Sequence, residues 1–201
     1  SLGLVGSEMC IRDREMTVKE VLALAAEHLA RADLQKQLGE LSENAAPKGE
    51  LASLLRAYNL VENELAVDVL PLKAEETLSA EDHLIPWSAF SYAPAGVRAV
   101  FVSGYETCFE PKKEGLFLPR LKAGKAVVRY CYSPAPKSID DEGEFGGRVT
   151  ARLLSFGVAR EFCLSRGMFE EAKLWDGRYQ DAVRAAALPR RALAMKARRW
   201  V

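Results

Sequence analysis

The stretch over 147–187, GRVTARLLSFGVAREFCLSRGMFEEAKLWDGRYQDAVRAAA, limits most tightly what this chain can fold into. Val149, Leu153, Phe156, Cys163 and Leu164 recur at helical spacing, and Arg166-Gly167 then interrupts the run. Beyond it Phe169, Ala172, Trp175, Tyr179 and Val183 form a second apolar stripe at steps of three and four. Two such stripes around a short Gly-containing joint predict an antiparallel helical hairpin. Neither helix can bury its face alone, so earlier segments must cover them. That demand points to a structural or assembly protein before any catalytic one.

The covering segments are legible upstream. Thr17 followed three residues later by Glu20 is a capping-box pattern, and Val21, Leu22, Ala25, Leu29 and Ala32 supply an apolar face behind it. His28 sits beside that face with no second ligand nearby, which fits a partly covered imidazole. Asp33 to Leu41 suits a short second helix, and SENAAPKG over 42–49 is a polar joint. From Glu50 to Leu70 a long helix is expected, with Leu51, Leu54, Leu55, Tyr58, Val61, Leu65 and Val69 on one face. Glu62, Glu64 and Asp68 are expected on the solvated side, and Pro71 ends the helix.

Between Pro71 and Ile139 the chain becomes rich in proline, aromatic and β-branched residues. Strands are expected near Trp87–Tyr92, Val97–Val102, Gly115–Pro119 and Lys125–Ser133. The clearest, KAVVRYCYS, sets Val127, Arg129 and Cys131 against Val128, Tyr130 and Tyr132, after a turn at Leu121 to Gly124. Tyr130 and Tyr132 share one face, where they could stack bases but more simply pack on a helix. Pro134, Pro136 and the acidic Asp140-Asp141-Glu142 form a loop back to the hairpin. The predicted fold is therefore α+β: a helical bundle with a small antiparallel β-sheet inserted between the N-terminal helices and the C-terminal helical hairpin.

The two ends read differently. The string GSEMCIRDR within residues 1–15 resembles a translated sequencing-adapter scar, so the native start is expected at Met16 and residues 1–15 read as a non-native leader. Residues 16–188 then make one domain: helices over 17–70, the β-insertion over 71–139 and the hairpin over 147–187. Residues 189–201 form a basic arm carrying Arg190, Arg191, Lys196, Arg198, Arg199 and Trp200, with no acidic residue. The arm reads equally as a solvated terminus or as a segment that docks. Arg and Trp are frequent binding anchors, and Arg engages carboxylate or phosphate through a planar fork.

Bulk charge is balanced at 28 basic and 28 acidic residues, which by itself indicates neither a nucleic-acid nor a membrane partner. No apolar run approaches the roughly 18 residues a membrane helix needs. Cys10, Cys108, Cys131 and Cys163 make no C-x-x-C pair, and His28 and His83 are not spaced with them, which argues against zinc. Cys131 and Cys163 are expected as buried free thiols in a reducing cytoplasm. Asp140-Asp141-Glu142 could hold a divalent cation, the basis of a metal-dependent hydrolase, but fits a solvated loop better. Glu81-Asp82-His83 reads as a polar connector. No phosphate-loop or dinucleotide glycine pattern is present, so neither a catalytic residue nor a cofactor is expected.

The helix LLRAYNLVENELAVDVLPL, the segment GLFLPRLKAGKAVVRYCYSP and the pair LSFGVAREFCLSRGMFEEAKLWDGRYQDAVRAA together span 54–186. In content and order they resemble the head-to-tail adaptor, or connector, proteins of tailed bacteriophages, including the tail tubular adaptors of short-tailed phages and prophage-type relatives. The resemblance implies a non-enzymatic virion component that assembles in the host cytoplasm. It would form a ring, commonly of twelve copies, between the portal protein and the tail proteins, with DNA passing through the channel without sequence recognition. It also implies that the 189–201 arm reaches toward the portal. The leader over 1–15 has no counterpart in such adaptors. The alternative is a nucleic-acid-binding module that uses the basic arm and the strand aromatics.

Overall fold

The computed structural model describes residues 16–42, 45–147 and 149–188. The leader over 1–15 and the arm over 189–201 lie outside the described residues. Three helices come first: α1 (Val18–His28), α2 (Ala32–Glu40) and α3 (Gly49–Glu64). Seven strands follow: β1 (Leu72–Ala80), β2 (Leu84–Pro86), β3 (Ala93–Val102), β4 (Tyr105–Thr107), β5 (Glu110–Pro111), β6 (Gly115–Phe117) and β7 (Gly124–Ser133). The helices α4 (Ala151–Ser165) and α5 (Phe169–Ala187) close the chain. The fold is thus α+β, with the strands inserted between helical halves.

The predicted capping box forms at α1: Thr17 Oγ1 accepts from Glu20 N at 3.2 Å, and Glu20 Oε2 accepts from Thr17 N at 3.4 Å. The joint at Arg166-Gly167 also forms as expected. Gly167 has φ 72°, and Met168 N donates to Cys163 O at 3.0 Å while Gly167 N donates to Leu164 O at 3.1 Å. That pair of bonds is a Schellman ending, which favours glycine because the left-handed conformation crowds a Cβ. Helix α1 ends with the same two bonds, Arg31 N to Ala26 O and Ala30 N to Glu27 O, both 2.9 Å, but the left-handed residue is Ala30 at φ 54°. Ala30→Gly is therefore expected to stabilise the protein by about 1 kcal/mol and Gly167→Ala to destabilise it by about the same. Urea unfolding of the two variants checks the opposite signs.

The helices bury one core. Helix α4 lies in its middle, with Leu153, Leu154, Val158, Ala159 and Phe162 meeting α1, α3 and α5. Gly157 lets three helices approach: Val61 of α3 and Tyr179 of α5 close on it from either side. Two residues expected in the buried stripes are exposed, Leu164 at 43% and Phe169 at 68%. Cys163 already fills the inward row of α4, so Leu164 is turned about 100° away from it. Phe169 is the first residue of α5 and projects beyond the packed turns. Val149 is buried but precedes α4 rather than lying within it.

The insertion is two sheets with a core of their own rather than one. A four-stranded sheet runs β1-β7-β3-β4 and a three-stranded one runs β2-β6-β5, with antiparallel neighbours throughout. Ile85, Phe90, Val100, Leu116, Leu118, Val128 and Tyr130 fill the space they enclose. Strand β1 was not anticipated, because LKAEETLSA is poor in strand-forming residues. Nine residues of register with β7 and the burial of Leu78 and Ala80 hold it nonetheless. The expected strand at Trp87–Tyr92 is instead a 3-10 turn over Trp87–Ala89. Pro86 removes a ladder donor just before it, and Trp87 Nε1 donates to Lys112 O at 2.9 Å. The connector at Asp82-His83 is a two-residue hairpin turn, both residues having positive φ (47° and 65°).

Between bundle and sheets, α3 continues through one π-helical turn, Leu65–Val69, before Pro71. Leu72 packs against both cores and joins them.

Candidate functional site

The expected docking residues Arg190, Arg191, Lys196, Arg198, Arg199 and Trp200 all lie outside the described residues. What the structure gives is their point of departure. Helix α5 ends with Leu188 N donating to Arg184 O at 3.1 Å, and Leu188 is 66% exposed. It borders a hollow of about 330 Å³ shared with Gly147, Thr150, Leu153 and Ala186.

The densest polar cluster is where the return loop after β7 meets α3. Glu62, expected in solvent, is buried. Its Oε1 accepts from Tyr58 Oη at 2.9 Å and from Glu144 N at 2.9 Å. Lys137 Nζ donates to Glu144 Oε1 at 2.6 Å, and Tyr132 Oη donates to Glu144 Oε2 at 3.3 Å. Asn59 clips the same loop, accepting from Lys137 N at 2.7 Å and donating to Lys137 O at 3.2 Å. Burial raises Glu62 above its usual value, against the pull of the Glu144 N–H and the Tyr58 hydroxyl. Burial likewise raises Tyr58, and the Glu62 charge adds to it. Glu62 Oε2 is buried without a hydrogen-bond partner, while the remaining contacts fasten the loop that carries the chain from the sheets back to the bundle.

A second cluster centres on Arg160, whose side chain is 11% exposed. Its guanidinium meets Glu64 at 2.5 Å, Glu161 at 2.8 Å and Asp176 at 3.4 Å, and stacks over Tyr179 with 4.6 Å to the ring centroid. It ties α3, α4 and α5 together. His28, Phe156 and Trp175 cluster with ring centroids 5.0, 5.1 and 5.8 Å apart, and Arg152 and Arg178 lie over the Phe156 and Trp175 rings. Burial lowers its pKa, Glu27 opposes that, and the two arginines reinforce it. His28 is thus one member of a three-ring cluster, partly covered as expected.

Tyr130 and Tyr132 are buried, but not on a helix. Tyr130 meets Phe90 edge-on at 5.0 Å and donates to Glu76 at 2.5 Å, while Tyr132 stacks on Tyr92 at 4.3 Å. Neither presents a ring face for base stacking. Cys131 and Cys163 are buried free thiols as expected, and burial raises the pKa of Cys163; Cys108 is exposed. The Asp140-Asp141-Glu142 loop docks on the start of α1: Val18 N donates to Asp141 O at 3.0 Å and Gly143 N to Met16 O at 2.9 Å. Asp141 also accepts from Ser138 N at 2.6 Å. Among the described residues no group of three or more His, Cys, Asp or Glu is arranged to hold a metal ion, and no helix is long and apolar enough to cross a membrane.

Two surfaces remain unsatisfied. At the α4–α5 joint, Phe169 stands exposed beside Leu164 and Met168, followed by exposed Glu170 and Glu171. On the sheet, a groove of about 690 Å³ is lined by Pro71, Lys73, Ala74, Glu75, Arg98 and Arg129. It shares Pro71 and Arg98 with a hollow of about 200 Å³ bordered by Val67, Ala95 and Val97. Sequence spacing placed Phe169 in a buried stripe and so missed the first surface. The second joins three segments, at Pro71 to Glu75, at Arg98 and at Arg129, the nearest two 23 positions apart (98 − 75), with no local signal. The chain matches no known protein-family model and no curated protein sequence.

Proposed function

We propose that this protein is a structural ring subunit, without a catalytic step of its own, that joins a phage portal to the tail. The observation that carries the reading is apolar surface left over on a molecule whose two cores are filled. Phe169, Leu60, Leu174 and Leu188 are 68%, 60%, 56% and 66% exposed. Where such side chains gather, as Leu164, Met168 and Phe169 do at the joint, they mark a surface suited to neighbouring polypeptide. The order of helices, β-insertion, hairpin and basic arm supports the same reading through its resemblance to head–tail adaptors. The arm that begins after Leu188 would order on the portal, and many copies acting together would offset the freedom it loses.

Co-expression with a portal protein from the same genome tests this. The expected result is a ring-sized complex by light scattering and electron microscopy. Truncation after Leu188 is expected to abolish the complex and leave the circular dichroism spectrum intact. Absence of any complex overturns the reading. Binding to DNA by this protein alone, falling steeply as salt rises, would favour the nucleic-acid alternative acting through the basic arm.

A further inference from the structure

The joint surface and the sheet groove leave charges of opposite sign unpaired, and they stand at opposite ends of α3. Arg166, at the joint, meets Glu50 in the first turn of α3 at 3.1 Å. Pro71, in the groove, follows the π-helical turn at the other end of that helix. The 16 residues of α3 separate the two by roughly 24 Å at 1.5 Å per residue, so a chain cannot fill its own groove. The groove is basic. Arg129 is paired with Glu75, but neither Lys73 nor Arg98 forms an ion pair with a described residue. Arg98 Nε donates only to Cys131 Sγ, at 3.3 Å. The tip of the joint offers the opposite charge: Glu170 and Glu171 are exposed, and neither forms an ion pair with a described residue.

We infer that the Phe169–Glu171 tip of one copy seats in the sheet groove of a second copy. Phe169 packs against Pro71 and the aliphatic stems of Lys73 and Arg98, and Glu170 and Glu171 meet the charged ends of Lys73 and Arg98. The inference rests on the adaptor reading and adds to it the contact between copies. Because the two surfaces differ, the contact is head-to-tail, and it propagates from copy to copy until a ring closes. One aromatic anchor and two ion pairs bury less than the roughly 800 Å² per partner of a stable pair, so isolated copies associate weakly. Ring closure and the portal then strengthen the assembly through many simultaneous contacts.

Sedimentation equilibrium of the whole chain tests it. Phe169→Asp, and separately Lys73→Glu with Arg98→Glu, are each expected to weaken self-association at least about tenfold. All three positions are exposed, and circular dichroism confirms that each variant folds. An equimolar mixture of the two variants is expected to stop at dimers, because only one intact tip and one intact groove remain per pair. Glu170→Lys with Glu171→Lys is expected to weaken assembly as well, and to regain it when mixed with the Lys73→Glu, Arg98→Glu chain. Variants that assemble as the parent does overturn this contact and leave the adaptor reading standing. A parent chain that remains monomeric up to about 1 mM overturns the contact too. Failure to assemble with the portal as well removes the adaptor reading itself.

Discussion

Gly157→Ala is expected to destabilise the protein by about 2 kcal/mol, although alanine is the better helix former by about 1 kcal/mol. A Cβ at this position would stand 2.6 Å from Val61 Cγ1 and 2.9 Å from Tyr179 Cε2. Both neighbours are fully packed, Val61 at 0% and Tyr179 at 1% exposure, and Arg160 stacks over the Tyr179 ring at 4.6 Å. Overpacking a core of this kind costs about 1–3 kcal/mol, occasionally more, and here it outweighs the gain in propensity. Urea unfolding measures the loss as a lower midpoint at unchanged slope. In a Val61→Ala background the penalty should shrink, because the nearer of the two clashing neighbours is gone, and that non-additivity separates packing from any backbone effect. A Gly157→Ala protein as stable as the parent would refute the close approach of the three helices.

Glu62→Ala should cost about 3 kcal/mol, because it strips the acceptor from both the Tyr58 hydroxyl and the Glu144 N–H in a covered site. Glu62→Gln keeps an acceptor oxygen there and is the informative partner variant. Burial raises Glu62 above its usual 4.5, so the folded state holds that proton more tightly than the unfolded chain does. The stability this contributes is fully present below the unfolded value and is lost as pH rises through the folded one. The parent should therefore lose stability relative to Glu62→Gln as pH rises above about 4.5. Comparing urea midpoints at about pH 5 and about pH 8 tests the sign; a Gln variant that loses ground to the parent as pH rises would contradict it.

The helices were legible because their partners obey local spacing. Leu51, Leu54, Tyr58, Val61 and Leu65 recur at steps of three and four, and all five are buried. Glu62 was not legible, since what neutralises its burial arrives from Glu144, 82 positions on. Strand β1 likewise takes its identity from β7, with Leu72 opposite Tyr132 and Ala80 opposite Gly124, rather than from its own composition. Ala30 hid a helix ending because the residue that signals such an ending is glycine, which Gly167 supplies and Ala30 does not. Among the candidate surfaces, only the basic arm could be read from composition. The Phe169 tip and the sheet groove depend on which side of a helix or strand the packed core leaves outside.

The docking of the return loop onto the start of α1, through Gly143 on Met16 and Asp141 on Val18, has a consequence for biosynthesis. Among the described helices the inner one, α4, comes last but one, and until it emerges α1 and α3 have only α2 and a slight contact with each other to cover them. At the usual pace of translation the roughly 100 residues between the end of α3 and the end of α4 take about 5–20 s to appear. The sheets hold all their strand partners within 72–133 and can mature during that interval. The nascent bundle meanwhile presents bare leucine and valine to the ribosome surface and to chaperones, and it closes only when the hairpin arrives.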